Sequence, residues 1–260
     1  MPSPYEKYER VAEPFTVYYS KNQESLVHVI MQTVDQASQK LEQLLGQPGP
    51  KMQVILVAPA DWQLMPHDDP EEPGNALPYW TSVTHPPSLV IPSQLDSIVG
   101  LPSQEKLMYL VYTALAQAFL ENDSRPWPEE SPLWADEWQI QFAALWLMKQ
   151  LNGQSGIVMK DLHEQYAEIF EPELDGKTPV TIRGFDWYED TSAEDYLIFN
   201  LLLEQFAADL QQKYSPEILP RFLDLYRNDY SVLLSDDITD MLVSILGPGG
   251  AEWLENLVYF

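Results

Sequence analysis

The order of apolar and polar residues along the chain changes character near residue 100. From Phe15 to Tyr19 the residues are mostly β-branched or aromatic, and the stretch predicts a strand. From Asn22 onward the spacing is helical. Leu26, Ile30, Val34, Ala37, Leu41 and Leu44 recur every three or four positions and so share one face. Gly46 and Pro48 terminate that pattern, one suited to a left-handed cap and the other unable to continue a helix. Met52–Ala58 is an unbroken apolar run and predicts a strand buried on both faces. Strand, helix and strand in this order suit a crossover unit.

Residues 59–78 are rich in proline and acids and predict a loop or a flap. Tyr79–Val83 and Leu89–Ile91 predict two short strands, and Pro86-Pro87 between them suggests an edge position. Ser103 then caps a helix to about Leu120, and Pro132 introduces another from Leu133 to Leu151, stopped by Gly153. A shorter helix covers Met159–Ile169, and Glu171–Glu189 reads as irregular with a strand at Val180–Ile182. Thr191-x-x-Glu194 is a capping-box pattern before a long helix to Tyr214. Ser215-Pro216-Glu217 opens the next helix, and Asp236 or Asp237 caps one more, ended at Gly247. Ala251–Leu257 completes the chain's helical text. The order predicts an α+β fold: an α/β portion over 15–120 and a mainly helical portion over 121–260, within one continuous domain.

Composition narrows the function. In 260 residues there are 14 Lys and Arg against 40 Asp and Glu, a formal net charge of −26. Such a chain repels phosphate backbones and anionic bilayers, so nucleic acid and membrane surfaces are not expected partners. Hydrophobic residues make up 45%, enough for a folded core rather than a disordered polyanion. The absence of Cys excludes disulfides, thiolate metal sites and thiol nucleophiles, and four His leave little for a histidine metal site. Met1–Pro14 is charged and has no apolar signal core, and Leu107–Leu120 is too short to span a bilayer, so the expected location is the cytoplasm.

The element order, with Val17-Tyr18-Tyr19 leading into the long helix and Met52–Ala58 after it, resembles the gluzincin metallopeptidases, the thermolysin- and aminopeptidase-like zincins. Pro132-Leu133-Trp134-Ala135-Asp136-Glu137 resembles that family's P-x-W-x-x-E helix start, and the likeness runs over about residues 15–257. The resemblance implies a zincin-like α+β fold with a small mixed sheet and a helical C-terminal subdomain.

It also implies a site. Zincins place H-E-x-x-H on a helix, where the histidines at i and i+4 bind zinc and the glutamate activates the metal-bound water. On the resemblance, Thr113 stands at the first histidine, Ala114 at the base and Gln117 at the second histidine. Glu137, twenty residues after Gln117, stands at the third ligand. Threonine and glutamine are weak neutral donors, and alanine takes no proton. The expectation is therefore a pseudoenzyme without zinc or any other cofactor and without catalytic residues. Tyr79, Trp80, Thr81, Trp134 and Tyr196 would line a vestigial cleft able to take a peptide or protein ligand by strand addition.

Other readings follow from the residues themselves. A hydrolase could pair Glu137 with Asp136, Glu194 or Asp195, or use an unusual metal site. A purely structural or adaptor role needs none of these. His67 with Asp68, Asp69, Glu71 and Glu72 has the donors for a hard cation but lacks a calcium-loop spacing. His163-Glu164 begins like H-E-x-x-H but ends in Ala167, and reads as a surface pair. The remaining histidines, His28 and His85, fall on a helix and in a turn.

Overall fold

A computed structural model describes residues 7–68, 74–171, 180–186 and 191–260. The chain forms two compact units, Met1–Asn122 and Asp123–Phe260.

In the first unit the sheet contains β1 (Glu9–Val11), β2 (Thr16–Tyr19), β3 (Gln53–Val57), β4 (Tyr79–Thr81) and β5 (Ser88–Pro92) in the order β1-β2-β3-β5-β4. β2, β3 and β5 run parallel, while β1 and β4 pair antiparallel at the two ends. α1 (Glu24–Leu45) connects β2 to β3, and α2 (Gln104–Glu121) follows β5. Every residue of β3 and β5 is buried, as the unbroken apolar runs require. On one face Ile55, Val57 and Val90 form a cluster with Trp62 and Met65. On the other, Leu56 lies with Leu26 and Ile30 of α1 and with Leu107 and Met108 of α2.

The helix ends follow the sequence. Gly46 caps α1 at φ 68°, and the Ser103 hydroxyl accepts from the Lys106 amide at 3.1 Å to start α2. Three features differ from the pattern. β1, whose Glu-Arg-Val has no alternation, exists because it pairs with the outer edge of β2. β4 stops at Thr81, whose Oγ1 accepts from the Val83 amide and turns the chain, and β5 is an interior strand, so the edge position belongs to β4 alone of the two. The predicted loop after residue 58 begins instead as a 3-10 segment, Pro59–Leu64, that carries Trp62 onto the sheet.

The second unit is helical: α3 (Leu133–Asn152), α4 (Lys160–Gln165), α5 (Ala193–Lys213), α6 (Ile218–Tyr226), α7 (Ser235–Leu246) and α8 (Gly250–Glu255). α3 packs on α5 and α6, and α7 on α6 and α8. Their shared core is aromatic. The Trp138 ring meets Phe222 edge-on at 4.9 Å and also touches Phe142 and Phe206. α5 begins one residue later than the sequence pattern indicates, on a capping box of Ser192 and Asp195 rather than Thr191 and Glu194. Val180–Ile182 is not a strand, because the Ile182 and Arg183 amides bond to the carbonyls of Tyr259 and Phe260 outside any ladder. Among the described residues no helix is long and apolar enough to cross a membrane.

Candidate functional site

The positions singled out by the zincin resemblance divide between the units. Thr113, Ala114 and Gln117 lie on α2 of the first unit, with Tyr79, Trp80 and Thr81 on β4. Thr113 Oγ1 donates to the Tyr109 carbonyl of its own helix at 3.0 Å, and the Ala114 methyl is buried. Gln117 Nε2 donates to Glu121 Oε1 at 2.8 Å, and the other oxygen of that carboxylate accepts from Trp80 Nε1 at 2.9 Å. Two donors, one from the helix and one from the strand, thus hold one carboxylate. The effect is to pin the C-terminal turn of α2 to β4.

Tyr79 and Thr81, on either side of Trp80, are tied to the segment before the strand. The Tyr79 hydroxyl donates to the Pro66 carbonyl at 2.7 Å, and burial, followed by the charge of Asp68, pushes its phenol up. His67 stacks on Tyr79 at 5.0 Å and bonds the Trp62 carbonyl, and Thr81 Oγ1 donates to Asp68 at 2.6 Å. His67 and Asp68 therefore serve local packing, while Asp69, Glu71 and Glu72 lie outside the described residues. Among the described residues no group of three His, Asp or Glu is arranged to hold a metal. The groups at the motif positions do not fit zinc: one hydroxyl is committed to its helix, one position has no donor atom, and one amide already holds Glu121.

Glu137 lies in the second unit, near the start of α3, directly after Asp136, the acid of the helix's first turn. Asp136 Oδ1 accepts from the Tyr226 hydroxyl at 2.8 Å. Burial pushes this carboxyl up to about 6, against the opposing pull of Tyr226, Arg227 and Ser131. Among the described residues no hydrogen bond reaches the Glu137 carboxyl. Burial, and then the charge of Asp136, push it up to about 7. Tyr196, on α5, feels the same group: its phenol rises to about 12 through burial first and Glu137 second. Glu137 and Tyr196 are thus brought within electrostatic reach. Trp134 is not a surface wall. It is wholly buried, its Nε1 donates to Ser235 at 3.1 Å, and its ring meets Phe260 at 5.4 Å, so it belongs to the core. Glu194 accepts from the Tyr166 hydroxyl and Asp195 from the Ser192 cap, which leaves Asp136 as the acid coupled to Glu137.

One buried polar pair escaped the sequence reading. His163 is not a surface residue paired with Glu164. Its Nε2 lies 2.9 Å from Glu204 Oε2 of α5, both side chains are buried, and its ring stacks on Phe170. The second oxygen of Glu204 accepts from the Val158 and Met159 amides at 2.6 and 3.2 Å. The partner is 41 residues away, so the local H-E text gave no signal for it.

No protein-family model matches this chain, and no curated protein matches it either.

Proposed function

We propose that the chain is a zincin-like protein that has given up zinc and general base and acts by holding an extended peptide along β4. The observation that carries this reading is the Gln117–Glu121–Trp80 linkage. The residue at the second histidine position braces the terminal strand of the sheet instead of facing a metal. A terminal strand offers unpaired main-chain groups to an added strand, with side-chain pockets setting the specificity. The test is a metal analysis, a peptidase assay and a peptide-array screen on the whole protein. Substoichiometric zinc, no turnover, and peptide binding that falls at least tenfold in Thr81→Pro are expected. One zinc per chain, or specific cleavage, overturns the reading.

A second reading is favoured by one observation. Two adjacent carboxyls, Asp136 pushed up to about 6 and Glu137 to about 7 with Tyr196 in reach of Glu137, are in the range where general acid–base catalysis operates near neutral pH. It requires a hydrolytic activity whose pH profile shifts or collapses in Glu137→Gln.

A further inference from the structure

The segment that joins α6 to α7 bends at Ser231 and turns most of its apolar side chains outward. Tyr230, Val232 and Leu234 are 62%, 46% and 65% exposed, Ser231 is exposed as well, and only Leu233, at 5%, turns inward. Three large apolar side chains turned to water within five residues form a patch rather than scattered surface residues. The segment is held in place from behind. The Leu233 amide donates to the Glu130 carbonyl at 2.8 Å, the Glu129 amide donates to the Ser231 carbonyl at 3.2 Å, and Glu130 and Val232 form a parallel bridge. These bonds use one edge. On the other edge, no partner among the described residues bonds the main-chain N–H or C=O of Tyr230 or Val232. Trp127, 40% exposed, extends the apolar surface on the adjoining segment, where Arg227 packs its guanidinium carbon 3.1 Å from the ring centre.

The surround is acidic. Glu129 and Glu130 are exposed and take part in no ion pair among the described residues, and Asp224, Asp229, Asp236 and Asp237 lie in or beside the segment. The cations near them are already engaged: Arg125 with Asp123 and Asp224, Arg183 with Asp236, and Arg227 beneath Trp127. In a chain of net charge −26, Asp224 and Asp236 are thus partly offset, and Glu129 and Glu130 keep the rim acidic.

We propose that residues 230–234 are a docking strand for a basic, extended segment of a partner protein. Its main chain would pair with the open edge at Tyr230 and Val232, its apolar side chains would cover the outward stripe, and its lysines or arginines would face Glu129 and Glu130. The charge of the rim selects a cationic partner over a second copy of this acidic chain. The open main-chain edge selects an extended segment over a helix. This site lies in the helical unit and stands apart from the reading of β4.

The experiment uses the full chain and two synthetic hexapeptides of identical composition, one alternating lysine and valine, the other with three lysines followed by three valines. The alternating peptide binds at least tenfold more tightly in a fluorescence titration, and the Tyr230 and Val232 amides gain exchange protection when it binds. Affinity falls at least tenfold in Val232→Pro, which removes an open N–H, and in the charge-reversed Glu129→Lys/Glu130→Lys, and it is unchanged in Thr81→Pro. Equal binding of the two peptides, or wild-type affinity in the charge-reversed variant, overturns the proposal. So does a concentration-dependent dimer lost in Val232→Pro, which makes a second copy the occupant. Adhesion to phosphatidylcholine vesicles that is lost in Tyr230→Ser overturns it in favour of a lipid surface. Should Val232→Pro not fold, the charge-reversed variant and the amide protection decide.

Discussion

Glu137 and Glu204 are both acids on helices of the helical unit, Glu204 fully buried and Glu137 partly so, yet their surroundings are opposite. Glu204 accepts from two main-chain amides and from His163, so every part of its charge is matched. Glu137 receives no hydrogen bond among the described residues and sits beside another acid. The difference shows that burial by itself does not say whether a carboxylate holds a fold together. What decides it is the number of donors aimed at it. The first is a fastening between α5 and the start of α4. The second is a strain that the fold tolerates, and such strained titratable groups mark candidate chemistry.

The sharpest way to break the comparison is at Glu204. Glu204→Ala strands two amides and an imidazole, and is expected to cost about 3–5 kcal/mol in a chemical-denaturation curve. Glu204→Gln keeps an acceptor for the amides and is expected to cost about 1–2 kcal/mol. Equal losses in the two variants would mean that the charge, and not the acceptor geometry, is what matters.

The Glu137 side of the comparison is read through pH. Asp136 and Glu137 titrate at about 6 and about 7 in the folded protein, above the ordinary carboxyl range, so the folded state retains protons that the unfolded chain releases. Their contribution is therefore greatest below about pH 4, and it is lost as pH rises through the folded values. Asp123 works the other way. Burial alone would raise it, but hydrogen bonds and charge from Arg125, with Arg227, bring it below its usual value, so its contribution fades on acidification. Glu137→Gln removes one proton-binding group and isolates its share. The variant should be more stable than wild type at pH 8 by on the order of 2 kcal/mol and nearly equal at pH 4. A constant difference across that range would show that Glu137 is not raised.

The smallest effect concerns the first unit. Gln117→Leu removes one of the two donors on Glu121 and leaves Trp80 in place, an expected loss of about 1 kcal/mol in thermal denaturation. No loss would show that the Gln117 amide does not hold the α2–β4 junction.

Much of the secondary structure is legible in the residue order because local physics decides it. Gly46 and Gly153 stop α1 and α3 in left-handed conformations, and Ser103 starts α2. What escapes depends on partners distant in the chain. β1 has no pattern of its own and exists through β2. The amides at 182 and 183 are taken by the chain's last two residues. At the candidate site, the acidic start of α3 is visible in the sequence at Asp136 and Glu137, and Asp136 in the first turn suits the helix dipole. Its lack of donors is not visible, because that depends on what α5 and α6 bring near it. His163 is the opposite case: the adjacent Glu164 suggests a surface pair, while the buried partner, Glu204, is 41 residues away.

The complete burial of β3 has a consequence during synthesis. Gln53–Val57 is an uncharged, proline-free strand flanked by Ala58, and its second parallel neighbour, β5, is made about 30 residues later. At about 5–20 residues per second, one edge of this strand waits roughly 2–6 s for its partner on the ribosome. Lys51 with Pro50 on one side and Pro59 with Asp61 on the other interrupt the apolar text at both ends. They act as gatekeepers that keep the nascent chain from finding a neighbour's strand before its own.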